Sequence, residues 1–171
     1  VCSSDLPINK VAYAFMLICV AQGVYTVVAI AAVGICVPPL GLGLATLINR
    51  KNVTGEEREA GKAALVMGCV GVTEGAIPFA AADPLRVIPS IMLGSASGAV
   101  TAAVMGAQCY AGWGGLIVLP VVEGKLGYIA AVAVGAVVTA ISVNVLKSIA
   151  RKNAKQVEEK EDDLDLDFEI N

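Results

Sequence analysis

Residues 71–89, GVTEGAIPFAAADPLRVIP, are the stretch on which the fold turns. Gly71, Gly75 and Pro78 crowd one spot, and Glu74 stands between them in otherwise apolar surroundings. An ionisable side chain in such a run is expensive and by default marks a substrate or ion pathway when the chain lies in lipid. Glycine lets backbone amides and carbonyls come close to a ligand. Non-helical backbone at membrane depth is tolerated only where it is buried in protein or lines a cavity. The stretch therefore predicts a re-entrant hairpin with its tip in a polar site.

The rest of the chain supplies the membrane. Hydrophobic residues make up 57% of the 171 positions and charged residues 16%, against about 45–50% and about 25% in soluble domains. The charges are also clustered, since residues 11–49, 87–122 and 126–146 contain no Asp, Glu, Lys or Arg. A crossing helix takes about 20 apolar residues, so each run can cross. The expected class is all-α: a polytopic membrane protein with about three transmembrane helices plus a re-entrant hairpin and half-helices, part of a transporter fold.

Along the chain, residues 11–36 predict a first, tilted crossing that Pro38 and Pro39 stop. Residues 40–49 are apolar but too short to cross, and read as a half-helix. The charged loop 50–62, RKNVTGEEREAGK, holds a capping box from Thr54 to Glu57 that opens the next helix. Residues 86–107 and 126–149 predict two further crossings, each with small residues at four-residue spacing: Gly94, Gly98, Ala102, Gly106, then Gly127, Ala131, Gly135, Thr139. Such stripes let helices approach closely and carry no chemistry. Between them, residues 108–125 read as an interfacial loop with a short dip at 116–122, and Tyr110 and Trp113 suit the headgroup belt.

Orientation follows from charge. Lys147, Arg151, Lys152 and Lys155 follow the last crossing and place that end in the cytoplasm. Residues 158–169 then carry eight acids and only Lys160, so 150–171 read as a charged, disordered cytoplasmic tail. Counting back through the crossings, a full span at 63–82 would put Arg50, Lys51, Arg58 and Lys62 outside. A hairpin that enters and leaves from the cytoplasmic side removes the conflict. Residues 1–10 are no secretory signal, because the apolar run after Lys10 exceeds a signal core and lacks a clear cleavage site.

Glu74 leads the candidates for chemistry, with the hydroxyl of Thr73 and the backbone of Gly75 beside it. A carboxylate next to open backbone suits hydrogen bonds to several sugar hydroxyls and can accept a proton from one of them. The plainer alternative is an ion pair with Arg86 that holds the hairpin. Pro78, Asp83 and Arg86 read as structural, with Asp83 capping the next helix and Pro84 at its first position. Asn9 and Lys10, within PINK at 7–10, read as an interfacial anchor on physical grounds alone.

Much is excluded. Without any His, histidine metal sites and histidine bases are gone. The five cysteines show no CxxC spacing, and four lie in or beside apolar runs as small hydrophobes. No GxxxxGK[ST] phosphate loop occurs, nor the basic and aromatic surface of a nucleic-acid binder. No metal and no cofactor are expected.

Residues 71–90, GVTEGAIPFAAADPLRVIPS, closely resemble the signature of the membrane-embedded enzyme IIC of the fructose-family sugar phosphotransferase system. Residues 56–67, EEREAGKAALVM, residues 37–47, VPPLGLGLATL, and residues 7–15, PINKVAYAF, resemble it in the same order. The likeness covers nearly all of 7–149 and implies the C-terminal half of an enzyme IIC in the bacterial inner membrane, with the N-terminal half of the enzyme IIC as its partner. It implies a permease that binds fructose or a similar sugar at mid-membrane and presents a hydroxyl to a phosphocysteine on a cytoplasmic IIB domain. On this resemblance Glu74 binds the sugar and assists its deprotonation, Asn9 and Lys10 join Thr73, Glu74 and Gly75 as substrate contacts, and the protein forms homodimers in the bilayer. Ser4, Asp5 and Leu6 stand where the family usually has two glycines, so residues 1–6 read as a truncated or non-native start. No phosphocysteine or phosphohistidine motif is present, so this segment alone is not a complete phosphotransferase.

Two other classes fit the hairpin by itself. One is an ion- or proton-coupled secondary transporter with Glu74 as its coupling residue. The other is a structural membrane subunit in which Glu74 pairs with Arg86.

Overall fold

The structure, a computed structural model, describes the backbone of residues 7–49, 55–111 and 114–169, and the side chains of residues 10–49, 55–111 and 114–150. Six helices follow one another: α1 Pro7–Ala21, α2 Thr26–Ile48, α3 Gly55–Val70, α4 Ile77–Ala82, α5 Pro84–Val104 and α6 Lys125–Glu169. The only described strands, β1 Gln108–Cys109 and β2 Val122–Glu123, pair antiparallel between α5 and α6. Among the described residues, three helical stretches are long and apolar enough to cross a membrane: Thr26–Ile48, Pro84–Val104 and Lys125–Ala150. The chain is an all-α, polytopic membrane protein.

The first crossing differs from the sequence expectation. The helix stops at Gly23, not at the prolines, and α2 runs straight through Pro38 and Pro39. Gly23 has φ 79, and around it the Val24 amide donates to Cys19 O (2.9 Å) and the Gly23 amide to Val20 O (3.0 Å). That is a helix stop built on a left-handed glycine. The expected half-helix at 40–49 is therefore the second half of α2. Two interior prolines leave the carbonyls four residues earlier, at Gly34 and Ile35, without their helical donors. One of these carbonyls is used by the site.

Helix α2 is the hub. Ala29, Val33, Cys36 and Val37 on it are fully buried, and it packs against α3, α5 and α6. The two small-residue stripes meet each other. A Cβ at Gly94 would run into the Thr139 side chain and lie 2.8 Å from Gly135 O, and one at Gly98 would lie 3.1 Å from Ala131 O. Only near-absent side chains permit that approach. The buried hydroxyls stay satisfied within their own helices: Thr139 donates to Gly135 O (2.9 Å) and Ser90 to Arg86 O (2.7 Å).

Contacts fix which ends lie together. Lys147 on α6 pairs with Glu57 on α3 at 3.0 Å, and Asn49 at the end of α2 donates to Asn144 at 3.2 Å. At the opposite end the Tyr25 and Tyr110 rings lie 4.4 Å apart, and the Cys109 amide donates to Tyr25 O. So α2 and α6 run one way, α5 runs back, and α3 starts at the Lys147 end. The expected capping box needs Thr54, which lies outside the described residues, as do residues 1–6 and Trp113. The backbone of α6 continues to Glu169, where the sequence expects a disordered charged tail.

Candidate functional site

From the Lys147 end, α3 carries the chain inward and stops at Gly71, whose φ of 90 no side-chain-bearing residue takes without strain. The Val72 amide donates to Met67 O (2.9 Å) and the Gly71 amide to Gly68 O (3.2 Å), the same stop that ends α1. A 3-10 turn, Thr73–Ala76, reverses direction and α4 leads back out to Asp83. Gly75 closes the turn, since a Cβ there would lie 3.0 Å from Ala64 Cα on α3. Ala76 and Phe79 are buried in one cluster with Leu42 of α2, Ala64 of α3, Val87 of α5 and Ala140 of α6. Pro78 occupies the first turn of α4, where a missing amide costs little.

One hydrogen bond marks the height of this tip. The Thr73 hydroxyl donates to Ile35 O at 3.4 Å, and Ile35 O is a carbonyl that Pro39 leaves without a helical donor. Ile35 is nine residues into α2 and thirteen from its end at Ile48, or about 14 Å and about 20 Å at 1.5 Å per residue. The tip thus lies near the middle of an apolar span, with both arms leading to one end.

Glu74 is exposed at this tip. Among the described residues no hydrogen bond or ion pair engages its carboxylate. Arg86, the alternative partner, pairs with Asp83 at 2.8 Å instead. Asp83 in turn makes no side-chain cap on α5, contrary to expectation, because its carboxylate faces Arg86, while Pro84 does open the helix. An unpartnered carboxylate beside a hydroxyl and a tight glycine turn can accept hydrogen bonds from a polyhydroxylated ligand.

Thr73, Glu74 and Gly75 are therefore brought together, with Pro78 in the returning arm and the Asp83–Arg86 pair at its exit. Lys10 is exposed on α1, which leans chiefly on α2; the side chain of Asn9 lies outside the described residues. Between α1 and α2 lies an apolar groove of about 420 Å³, lined among others by Tyr13, Met16, Ile30, Ile35 and Gly114.

The sequence missed the opposing wall. Gly114 and Gly115, buried, descend from the Tyr110 end onto the hairpin stop. A Cβ at Gly71 would strike Gly114 O, and one at Gly115 would lie 2.6 Å from Val70 O. The adjacent glycines were the available signal, whereas the expected dip at 116–122 is a 3-10 turn, Leu116–Val121, followed by β2.

Several carboxylates away from the tip have partners. Lys62 donates to Glu59 at 2.7 Å and holds that carboxyl below its usual range. Tyr110 donates to Glu123 at 2.9 Å, which pushes the phenol's pKa up. Among the described residues no three His, Cys, Asp or Glu side chains are grouped to hold a metal.

Known proteins share this sequence. The fructose-like permease IIC component 2 of Escherichia coli is 87% identical over 96% of this chain, which covers 46% of that protein. The fructose-specific EIIB'BC component of Xanthomonas campestris is 46% identical over 82% of this chain, covering 25% of its own length. The fructose-specific EIIC component of Haloferax volcanii is 38% identical over 82% of this chain, covering 38% of its length. The chain thus spans less than half the length of these relatives. No protein-family model matches the chain. No solved structure matches it either.

Proposed function

Because the chain belongs to the fructose-family enzyme IIC permeases of the sugar phosphotransferase system, we propose that it is the C-terminal half of a permease that binds fructose or a fructose-like sugar. Residues 7–149 make up the membrane part, and residues 150–171 form a cytoplasmic tail. The missing N-terminal half completes the site, two copies associate in the bacterial inner membrane, and a phosphorylated IIB domain supplies the phosphoryl group from the cytoplasm. In support of a IIB partner, the Xanthomonas relative is named as carrying B and C components together.

The observation that carries the site is the unpartnered Glu74 carboxylate on a hairpin whose tip is pinned at mid-span by Thr73 and Ile35. Two or more sugar hydroxyls donate to that carboxylate, and the Gly75 turn lets the sugar approach the backbone. One of these hydroxyls attacks phosphorus on the IIB phosphocysteine. The bond to the IIB sulfur breaks, and the hydroxyl proton passes to Glu74 as the sugar phosphate forms. Asn9 and Lys10 join Thr73, Glu74 and Gly75 as sugar contacts; the groove that sets Ala12 and Tyr13 of α1 beside Ile35 supports a site between α1 and the hairpin tip. Asp83 and Arg86 hold the exit of the hairpin.

The test is uptake of labelled sugar by the complete permease carrying this segment, with and without phosphoenolpyruvate-driven phosphorylation. We expect Glu74→Gln to insert normally and lose phosphorylating uptake. Normal uptake by that variant returns Glu74 to a structural role. Accumulation of unphosphorylated sugar that follows a proton gradient sinks the phosphotransferase reading itself.

A further inference from the structure

Tyr128 is the largest fully buried side chain among the described residues, with 0% exposure in the first turn of α6. A phenol so placed must find a hydrogen-bond partner. It donates to Gly115 O at 3.1 Å. Cys36 Sγ on α2 stands 3.7 Å from the phenol oxygen of Tyr128, and the neighbouring residue on that helix is Ile35, whose carbonyl accepts from Thr73.

The backbone it holds is the wall against the hairpin. Gly115, at φ 113, lies where even a Cβ would be 2.6 Å from Val70 O, and a Cβ at Gly71 would strike the Gly114 carbonyl and lie 2.8 Å from Gly115 N. Two glycine turns from opposite ends of the molecule thus meet backbone to backbone, two residues before Thr73. Nothing compressible lies between them. A shift of the Gly114–Gly115 loop is a shift of the hairpin stop.

We propose that Tyr128 is a positioning residue for the sugar site, acting through Gly115 and Gly71 on the height of Thr73 and Glu74; this rests on the reading of Glu74 as the sugar contact. The hydroxyl touches no sugar. Without it Gly115 O loses its donor, the loop relaxes, and Glu74 spends less time where the sugar meets it. The ring itself goes on filling the core.

Tyr128→Phe in the complete permease tests this, with uptake normalised to inserted protein and compared with Glu74→Gln. We expect the sugar KM to rise about fivefold, the scale of one lost neutral hydrogen bond, with Vmax per inserted molecule within about twofold of wild type. A merely structural role would lower the amount inserted and leave KM alone. If Glu74→Gln is inactive and Tyr128→Phe keeps the wild-type KM, this inference falls and the hairpin site stands. If Glu74→Gln transports normally, both fall. Should Tyr128→Phe fail to insert, Gly115→Ala puts a methyl against Val70 O without touching the phenol, and a wild-type KM there overturns the inference equally.

Discussion

The hydroxyl of Thr73 donates to the main-chain carbonyl of Ile35 at 3.4 Å, joining a hairpin tip to the middle of a helix 38 residues earlier. The bond exists because Pro39 brings no amide to that carbonyl. A residue that normally breaks a helix here frees an acceptor at membrane depth, and the hairpin supplies the donor. At 3.4 Å the bond is long and contributes about 1 kcal/mol or less. Thr73→Val keeps the shape and removes the donor, so we expect a loss of about two- to fivefold in sugar uptake per inserted molecule. Thr73→Ser should behave as wild type. Equal losses in both variants would mean that the methyl, not the hydroxyl, matters.

Gly71 makes a second demand on the same tip. Its φ of 90 and the Gly114 carbonyl facing it leave no room for a side chain, and a strained backbone of this kind costs about 1–3 kcal/mol before any overlap. We expect Gly71→Ala to lose at least tenfold in uptake even where it inserts. Gly34→Ala is the control, because nothing lies within 4 Å of a Cβ there and the site is helical. It should transport normally and be more stable in detergent by about 0.5–1 kcal/mol. If Gly71→Ala transports like Gly34→Ala, the two glycine turns do not depend on each other.

Sequence and structure agree where charge decides and part where hydrogen bonding does. The charge-free runs located two of the three spans, because a bare Lys or Asp in lipid is costly wherever it falls. The hairpin followed from counting Lys and Arg, and the Lys147–Glu57 pair now sets the start of α3 beside the end of the last span. Pro38 and Pro39 misled because a proline's cost depends on who satisfies the stranded carbonyl, and Thr73 lies too far along the chain to be foreseen. Gly23 is one small residue in the apolar run 11–36, and its left-handed stop shows only in the backbone, where the Val24 amide turns back to Cys19 O. The Glu74 environment was legible from Gly, Glu and Pro in one place. Tyr128 was not, since a tyrosine near a span end reads as an interfacial anchor until Gly115 is seen beneath it.

The Asp83–Arg86 pair should matter little. Arg86 is 43% exposed and Asp83 18%, and such pairs contribute between zero and about 1 kcal/mol after solvent screening. Asp83→Asn and Arg86→Gln should each leave the sugar KM unchanged and lower thermal stability only slightly. The double variant should be no worse than the weaker single. An inactive but stable Arg86→Gln would move Arg86 from the hairpin's exit into the site.

The direction from which the hairpin enters can be read by chemistry on single cysteines. Glu59 is exposed on the outer part of α3, and the contact between Glu57 and Lys147 ties that part to the end of the last span. In a background with the five native cysteines replaced, Glu59→Cys and Ser148→Cys should therefore react with a membrane-impermeant maleimide from the same side. With the charge bias of Lys147, Arg151, Lys152 and Lys155, that side is the cytoplasm. We expect labelling in inverted vesicles and none in intact cells, while Leu126→Cys, exposed at the far end of α6, labels in intact cells. Labelling of Glu59→Cys together with Leu126→Cys would make residues 63–82 a full crossing. The mid-span tip would then no longer be a re-entrant one, and Glu74 would lose the cytoplasmic access that phosphoryl transfer from IIB requires.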